Sequence, residues 1–294
     1  MRLAFSTVAC PDWPLGRAIA LAEELGYDGL EMRTFGEASN RFACDPALTD
    51  SGKLGDLFRG AAVTPACVAT GLRFDKPIFP PVVGRLFDQD ITAARQAKWI
   101  IRRAAEFGCP FVRVFGFERS GSEKLQRTIR RVRAGLELTA AAARNTGVRV
   151  LVENGGSFAR SGEMLALLDG LDTRLVGVSF NPDASAQADE DPLGAFDRLG
   201  DLVGVVKLKD RADDGSVVPI GDGSLPIEQL VRTMVDHDFR GFATVEWDRA
   251  WLPDLAAPEG VLGESIRRVY EWRKKADAGR ASAGWRAPEL ASVE

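Results

Sequence analysis

Three short apolar runs in this chain end in ionisable residues, and those residues have the types and spacing that can do chemistry. Val205-Val206-Lys207-Leu208-Lys209-Asp210 carries a lysine at its end, Val148-Arg149-Val150-Leu151-Val152-Glu153-Asn154 a glutamate, and Phe242-Ala243-Thr244-Val245-Glu246-Trp247-Asp248 another glutamate. Each run reads as a buried parallel strand, where an unpartnered charge is costly. In parallel α/β folds, groups at the carboxyl ends of strands gather on one face, and that face carries the chemistry. If Glu153 and Glu246 are aimed at one space they repel, by about 4 kcal/mol at roughly 4 Å and an effective dielectric near 20. A cation or a shared proton is therefore expected between them. The candidates are Lys207 and a divalent metal; the bland alternative is a Lys-Glu ion pair at the rim.

The elements that must position these residues alternate along the whole chain. Strand-like runs fall near 2–6, 28–33, 63–69, 111–116, 148–153, 176–180, 203–208 and 242–246. Helical patterns with apolar residues three and four apart lie between and after them, near 14–26, 48–61, 88–108, 122–146, 161–171, 191–200, 225–238 and 259–276. Eight such alternations predict a (β/α)8 TIM barrel, an α/β fold, as a single domain over 1–276. An open doubly wound sheet is the alternative. It is disfavoured because Ser6-Thr7-Val8-Ala9-Cys10-Pro11-Asp12-Trp13, after the first strand, is not a glycine-rich phosphate loop. Gly26, Gly108, Gly147 and Gly241 each precede a strand, where a left-handed glycine ends a helix. Gly71 to Pro81 reads as an irregular loop capping the site, and 277–294 as a tail that is mobile or packed on a partner subunit.

Composition narrows the function classes. The chain has 294 residues, 45% hydrophobic and 27% charged, so a large core is available. A net charge of -4 and a pI near 5.4 give no basic footprint for nucleic acid. No apolar run approaches the roughly 20 residues of a membrane span, and the N-terminus reads as a strand rather than a signal peptide. Cys10, Cys44, Cys67 and Cys109 form no C-x-x-C pair, which points to buried thiols in a reducing compartment. The expected setting is the cytoplasm, with neither nucleic acid nor membrane as partner, and homo-oligomerisation left open.

From residue 1 to about 275 the chain resembles the xylose isomerase-like TIM barrel superfamily of sugar isomerases and epimerases. The resemblance rests on Leu3 to Thr7, Ala22 to Arg33, Phe111-Val112-Arg113-Val114-Phe115-Gly116, Leu151 to Asn154, Lys207 to Asp210, Ile220 to Gly223 and Thr244 to Trp247, in that order. It implies one divalent metal held by Glu, Asp, His and Glu on strands five to eight, with the two glutamates doubling as acid and base. Glu153 and Glu246 match. Asn181 stands where the Asp belongs, Lys207 where the His belongs, and Ala184 where a His or Asn often follows. The usual set of three carboxylates, a neutral His and a dication sums to -1, as do Glu153, Asn181, Lys207 and Glu246 without a metal. Lys207 thus replaces the metal's charge, though not its coordination of two oxygens.

The catalytic candidates are therefore Glu153, Glu246 and Lys207, with Lys207 as the electrophile at an enolate oxygen. A Schiff-base lysine is less favoured, because two neighbouring carboxylates stabilise the ammonium. Substrate-binding candidates are Glu31, Arg33, Asn181, Asp183, Lys209, Trp13 and Trp247. Phe74 and Trp251 also follow strands, and stacking on sugars competes with loop packing for all these rings. If a metal binds, its ligands are Glu153, Glu246 and Asp183; Asp183 is equally suited to cap the turn after Pro182. The cofactor expectation is accordingly none, or one Mn, Mg, Co or Zn ion. Arg113 reads as structural, Lys209 and Asp210 alternatively as a solvated rim pair, and the single histidine, His237, as surface.

The leading reading is an isomerase- or epimerase-like enzyme that abstracts a proton next to a carbonyl of a small polyhydroxylated, carbohydrate-like substrate. A dehydratase or lyase of the same fold, or a non-catalytic sugar- or partner-binding descendant, are the alternatives. A multi-metal nuclease needs several histidines, and this chain has one.

Overall fold

The computed structural model describes residues 1–35, 41–42, 51–74, 89–116, 119, 121 and 123–282. Eight parallel strands form the barrel: β1 Arg2–Ser6, β2 Gly29–Phe35, β3 Thr64–Arg73, β4 Phe111–Phe115, β5 Arg149–Glu153, β6 Val176–Phe180, β7 Val203–Leu208 and β8 Phe242–Val245. The ring closes because β1 pairs in parallel with both β2 and β8. Helices α1 Leu15–Leu25, α2 Ser51–Arg59, α3 Gln89–Glu106, α4 Leu125–Ala143, α5 Ser161–Leu168, α6 Pro182–Gln187, α7 Pro192–Leu199, α8 Ile227–Asp236 and α9 Pro258–Ser282 pack outside it. The chain is thus the α/β barrel that its alternating periodicities predict, and no helix among the described residues is long and apolar enough to cross a membrane.

Alternation along each strand sorts its residues into two environments. Outward-facing Leu3, Phe5, Val150, Val152, Val206 and Leu208 join the helices in one large apolar layer. Inward-facing Ala4, Cys67, Leu151, Val205 and Phe242 form a small separate core inside the ring. Two residues further along the same strands, the inward positions become Ser6, Glu153, Lys207 and Thr244, all buried. The apolar plug inside the ring is therefore small, and polar side chains follow it along the same strands.

Several local expectations change. β3 runs through Arg73, so Gly71 to Arg73 belong to a strand and not to an irregular loop, while 75–81 lie outside the described residues. α9 continues to Ser282, taking the first residues of the expected tail into a helix; 283–294 lie outside the described residues. Gly26 and Gly147 are left-handed helix ends at φ +83 and +77, but Gly241 is not left-handed. A Cβ there would lie 2.2 Å from the Gly204 carbonyl oxygen, so close backbone approach accounts for this glycine. Cys10, Cys67 and Cys109 are buried, and no disulfide joins them among the described residues; burial lifts the Cys109 thiol to about 12. Cys44 lies outside the described residues.

Candidate active site

Lys207 points inward from β7 one pleat above Val205, level with Thr244 of β8. It is fully buried, and its Nζ donates to Glu31 Oε1 on β2 and, at 2.9 Å, to Glu246 Oε2 just past β8. This differs from the expected bridge between Glu153 and Glu246. The four-carbon stem lets Lys207 cross the ring to β2, and strand order alone does not say which side it takes. Burial opposes the ammonium, but the charges of Glu246, Glu31 and Glu153 outweigh it and raise the Lys207 pKa. The expected electrophile thus lies beneath the carboxylates, out of reach of the mouth.

Glu246 is gripped from both ends. Its Oε1 accepts from Lys209 Nζ at 2.9 Å, and the same ammonium lies 3.1 Å from Asp248 Oδ2. Against the cost of burial, Lys207 and Lys209 hold the Glu246 carboxyl well below the usual range. Burial and the Glu246 charge push Asp248 the other way, upward, with Lys209 opposing. Asp248 had no role in the sequence reading. Its signal was the pair Glu246 and Asp248, two residues apart, beside Lys207 and Lys209 at the same spacing on the adjacent strand. Such matched spacing places opposite charges on one inward ladder.

Glu153 sits on a separate cation. Its Oε2 lies 3.0 Å from Arg113 Nε, both side chains nearly buried, and its Oε1 accepts from Asn181 Nδ2 at 3.3 Å. Arg113, expected to be structural, is therefore part of the site. Neither Arg113 Nε nor Glu153 Oε2 makes a directed hydrogen bond, so this contact is a charge pair that leaves lone pairs on Oε2. Among the described residues, Arg33, Arg113, Lys207 and Lys209 stand against Glu31, Glu153, Glu246 and Asp248, a balance that low-dielectric surroundings demand.

The remaining candidates separate into site and scaffold. Arg33 Nη1 donates to the Thr70 and Ala69 carbonyls at 2.6 and 3.3 Å. Its guanidinium lies 5.8 Å from the rings of both Phe115 and Trp251; burial, with the nearby Arg113 charge, brings its pKa down to about 10. Asn181 Oδ1 caps α6 by accepting from the Asp183 and Ala184 amides. Asp183 is held by Arg211 Nε at 2.8 Å and by Gln187 at 2.9 Å. Asp210 accepts from the amides of Arg211, Gly221, Gly223 and Leu225, so it shapes the loop after β7 rather than pairing with Lys209. Trp247 is buried with its indole N–H on the Ala256 carbonyl, Trp13 lies under Arg17, and Phe74 is buried. Packing occupies these three rings; Trp251 is exposed. His237 lies on the surface, as expected, 3.6 Å from Asp197.

These residues do not fit a divalent metal. Both Glu246 oxygens bind ammonium groups, Glu153 carries Arg113 and Asn181, and the Asn181 carbonyl oxygen caps a helix. An ammonium at 207 has no lone pair to donate. Among the described residues, no cluster of three or more His, Cys, Asp or Glu side chains is arranged to hold an ion.

Comparison with known proteins agrees with this architecture. A structure reported as IolI protein with a binding zinc atom superposes with a TM-score of 0.76 at 16% identity, covering 94% of this chain and 99% of that one. An L-ribulose 3-epimerase gives 0.76 at 14% identity over 98% and 99%. The probable 3-DHS dehydratase AsbF from Bacillus anthracis gives 0.69 at 16% over 91% and 98%. Likenesses at such identities speak to the fold alone. A search of curated proteins returned no match. The sequence model described as xylose isomerase-like TIM barrel matches residues 19–272. With that match across most of the chain, and with the closed barrel, the protein belongs to the xylose isomerase-like TIM barrel family.

Proposed function

We propose that the protein is an enzyme acting on a small polyhydroxylated, sugar-like substrate by removing a proton next to a carbonyl, with the charge of lysine in place of a divalent cation. The observation that carries this reading is the asymmetry of the two glutamates. Glu153 keeps an oxygen without a directed hydrogen bond, whereas Glu246 is fully engaged and held ionised. A carboxylate stabilised so strongly is a weak base, so Glu153 takes the proton and Glu246 anchors the cations opposite. The C–H electron pair moves onto the carbonyl oxygen, and a fixed positive charge stabilises the enolate. Returning the proton from Glu153 to the adjacent carbon gives isomerisation, and delivery of a solvent proton to the opposite face, with Glu153 releasing its own proton to solvent, gives epimerisation. Expulsion of a β-hydroxyl gives dehydration. The family's structural neighbours include sugar epimerases and a dehydratase, which supports this substrate chemistry.

The test is proton exchange. Wild-type protein incubated in D2O with a panel of ketoses and keto-polyols, with and without EDTA, is expected to place deuterium on the carbon beside the carbonyl, read by NMR. Exchange with none of them would sink the enzymatic reading; exchange abolished by EDTA would sink the metal-free one. A non-catalytic descendant that binds a sugar or a partner protein is the second reading, favoured by the fully engaged state of Glu246. It predicts ligand binding without exchange. The proposal further takes the cytoplasm as the setting and leaves a homo-oligomer to be tested by light scattering.

A further inference from the structure

Glu31, Lys207, Glu246, Lys209 and Asp248 form a chain of alternating charge that climbs from the apolar plug to the lip of the barrel. Each ammonium is held by two carboxylates. The two lysines nevertheless occupy different depths. The Lys207 and Glu31 side chains are 0% and 1% exposed, and those of Lys209, Glu246 and Asp248 are 9%, 9% and 10% exposed. Lys207 is level with Thr244, one pleat below Glu246, while Lys209 follows the end of β7.

We infer that the two lysines divide the work a dication would do in a site that does not fit one: Lys209 is the catalytic cation that touches the substrate oxygen, and Lys207 is a positioning residue that fixes Glu246. This rests on the proton-abstraction reading above. An ammonium has three N–H donors; Lys209 directs two at Glu246 and Asp248, and the third is available to a substrate oxygen at the mouth. As Glu153 takes the proton from carbon and the electron pair moves to oxygen, that third N–H stabilises the enolate; on collapse the pair returns to carbon and the proton is delivered back. Lys207 meets no substrate. It holds Glu246 Oε2, so that Oε1 stays under Lys209 and fixes the direction of its remaining donor.

Two measurements test this. The first needs no substrate: the folded wild-type protein is treated with a small amine-acylating reagent and mapped by mass spectrometry. Lys209 should be modified before Lys207, which should resist until the protein unfolds; modification of Lys207 first overturns the inference. The second uses whichever panel compound undergoes exchange. Lys209→Met should lose about 100- to 1,000-fold in kcat, the scale for removing one stabilising donor, with KM nearly unchanged. Lys209→Ala should regain activity with added methylammonium. Lys207→Met strands the buried Glu31, leaves Glu246 to Lys209 alone and risks unfolding, so it is paired with Glu31→Leu. That double variant should lose less than Lys209→Met, should raise KM, and should not respond to methylammonium. The reverse ranking, or rescue of the double variant alone, overturns the inference. If wild type exchanges with no compound, the reaction reading fails, and the labelling order still decides which lysine faces the mouth.

Discussion

The two ends of this barrel are built from the same strands and treat charge in opposite ways. At the foot, where the strands begin, a cavity of about 840 Å³ is lined by Phe111, Phe196 and Phe239 together with Arg149, Arg240 and His237. Charges there are less closely matched: His237 and Asp197 are about half exposed and 3.6 Å apart, and among the described residues the half-buried Arg149 guanidinium donates to the Asp201 carbonyl at 3.4 Å. At the mouth, four residues along the same strand from Arg149, Glu153 is buried against Arg113, and every charged group of the Lys207 chain touches its neighbour. Solvated charges can be left nearly alone. Buried ones survive only when matched one to one, because desolvation costs several kcal/mol per ion. The mouth is therefore the region whose sequence is most constrained by electrostatics, which agrees with the fold's habit of placing chemistry there and stability below.

The largest effect should come from breaking the match. Lys207→Met alone should destabilise the protein by about 3–5 kcal/mol, the scale for leaving a buried partner uncompensated, measured by urea unfolding. A loss near zero would mean the mouth is no more interlocked than the foot. Glu153→Gln should lower exchange by about 100- to 10,000-fold, the range for a general base, with a much smaller change in urea midpoint than Lys207→Met. If stability fell and exchange did not, Glu153 would be scaffold. At the foot, Gly177→Ala should reverse that pattern. A Cβ there would lie 2.5 Å from the Leu202 carbonyl oxygen and 2.6 Å from Arg149 Cζ, costing about 1–3 kcal/mol in packing while kcat holds.

Smaller effects sharpen the contrast by pH. Against burial, Lys207 and Lys209 hold Glu246 well below its ordinary value of 4.5. Its contribution to stability is therefore full above that value and is lost as pH falls through the depressed one. Lys207 and Lys209 are raised above 10.5, so theirs is full below that value and lost as pH rises through the raised ones. Between these limits Glu246, Lys207 and Lys209 add no slope to the urea midpoint, and Glu246→Gln should flatten the acid limb. His237→Ala, on the foot's surface, should change stability by less than about 0.5 kcal/mol.

The legible part of the site follows the same division. Glu153, Glu246 and Lys207 stood out because a charge at the end of an apolar run is locally anomalous, and their inward placement follows from a period of two. Arg113 is not legible in this way, because an arginine between Val112 and Val114 gives no clue to what lies across the ring. Asp248 ends no apolar run of its own, although its spacing from Glu246 repeats that of Lys207 and Lys209. Trp13 and Trp247 fit the profile of sugar-stacking rings, yet Trp13 has Arg17 over its face and Trp247 is buried with its indole N–H on the Ala256 carbonyl.

By itself the sequence determined the barrel, the inward direction of the charged residues and their position above the plug, since alternation and apolar runs are properties of a strand read alone. Only the tertiary structure decided that Lys207 pairs with Glu31 rather than Glu153, that Arg113 neutralises Glu153, and that Lys209, just past the end of its strand, pairs with Glu246 and Asp248. Those outcomes depend on distances across a closed ring, where residues 176 positions apart meet. A linear pattern carries the direction of each side chain but not the partner waiting on the far wall.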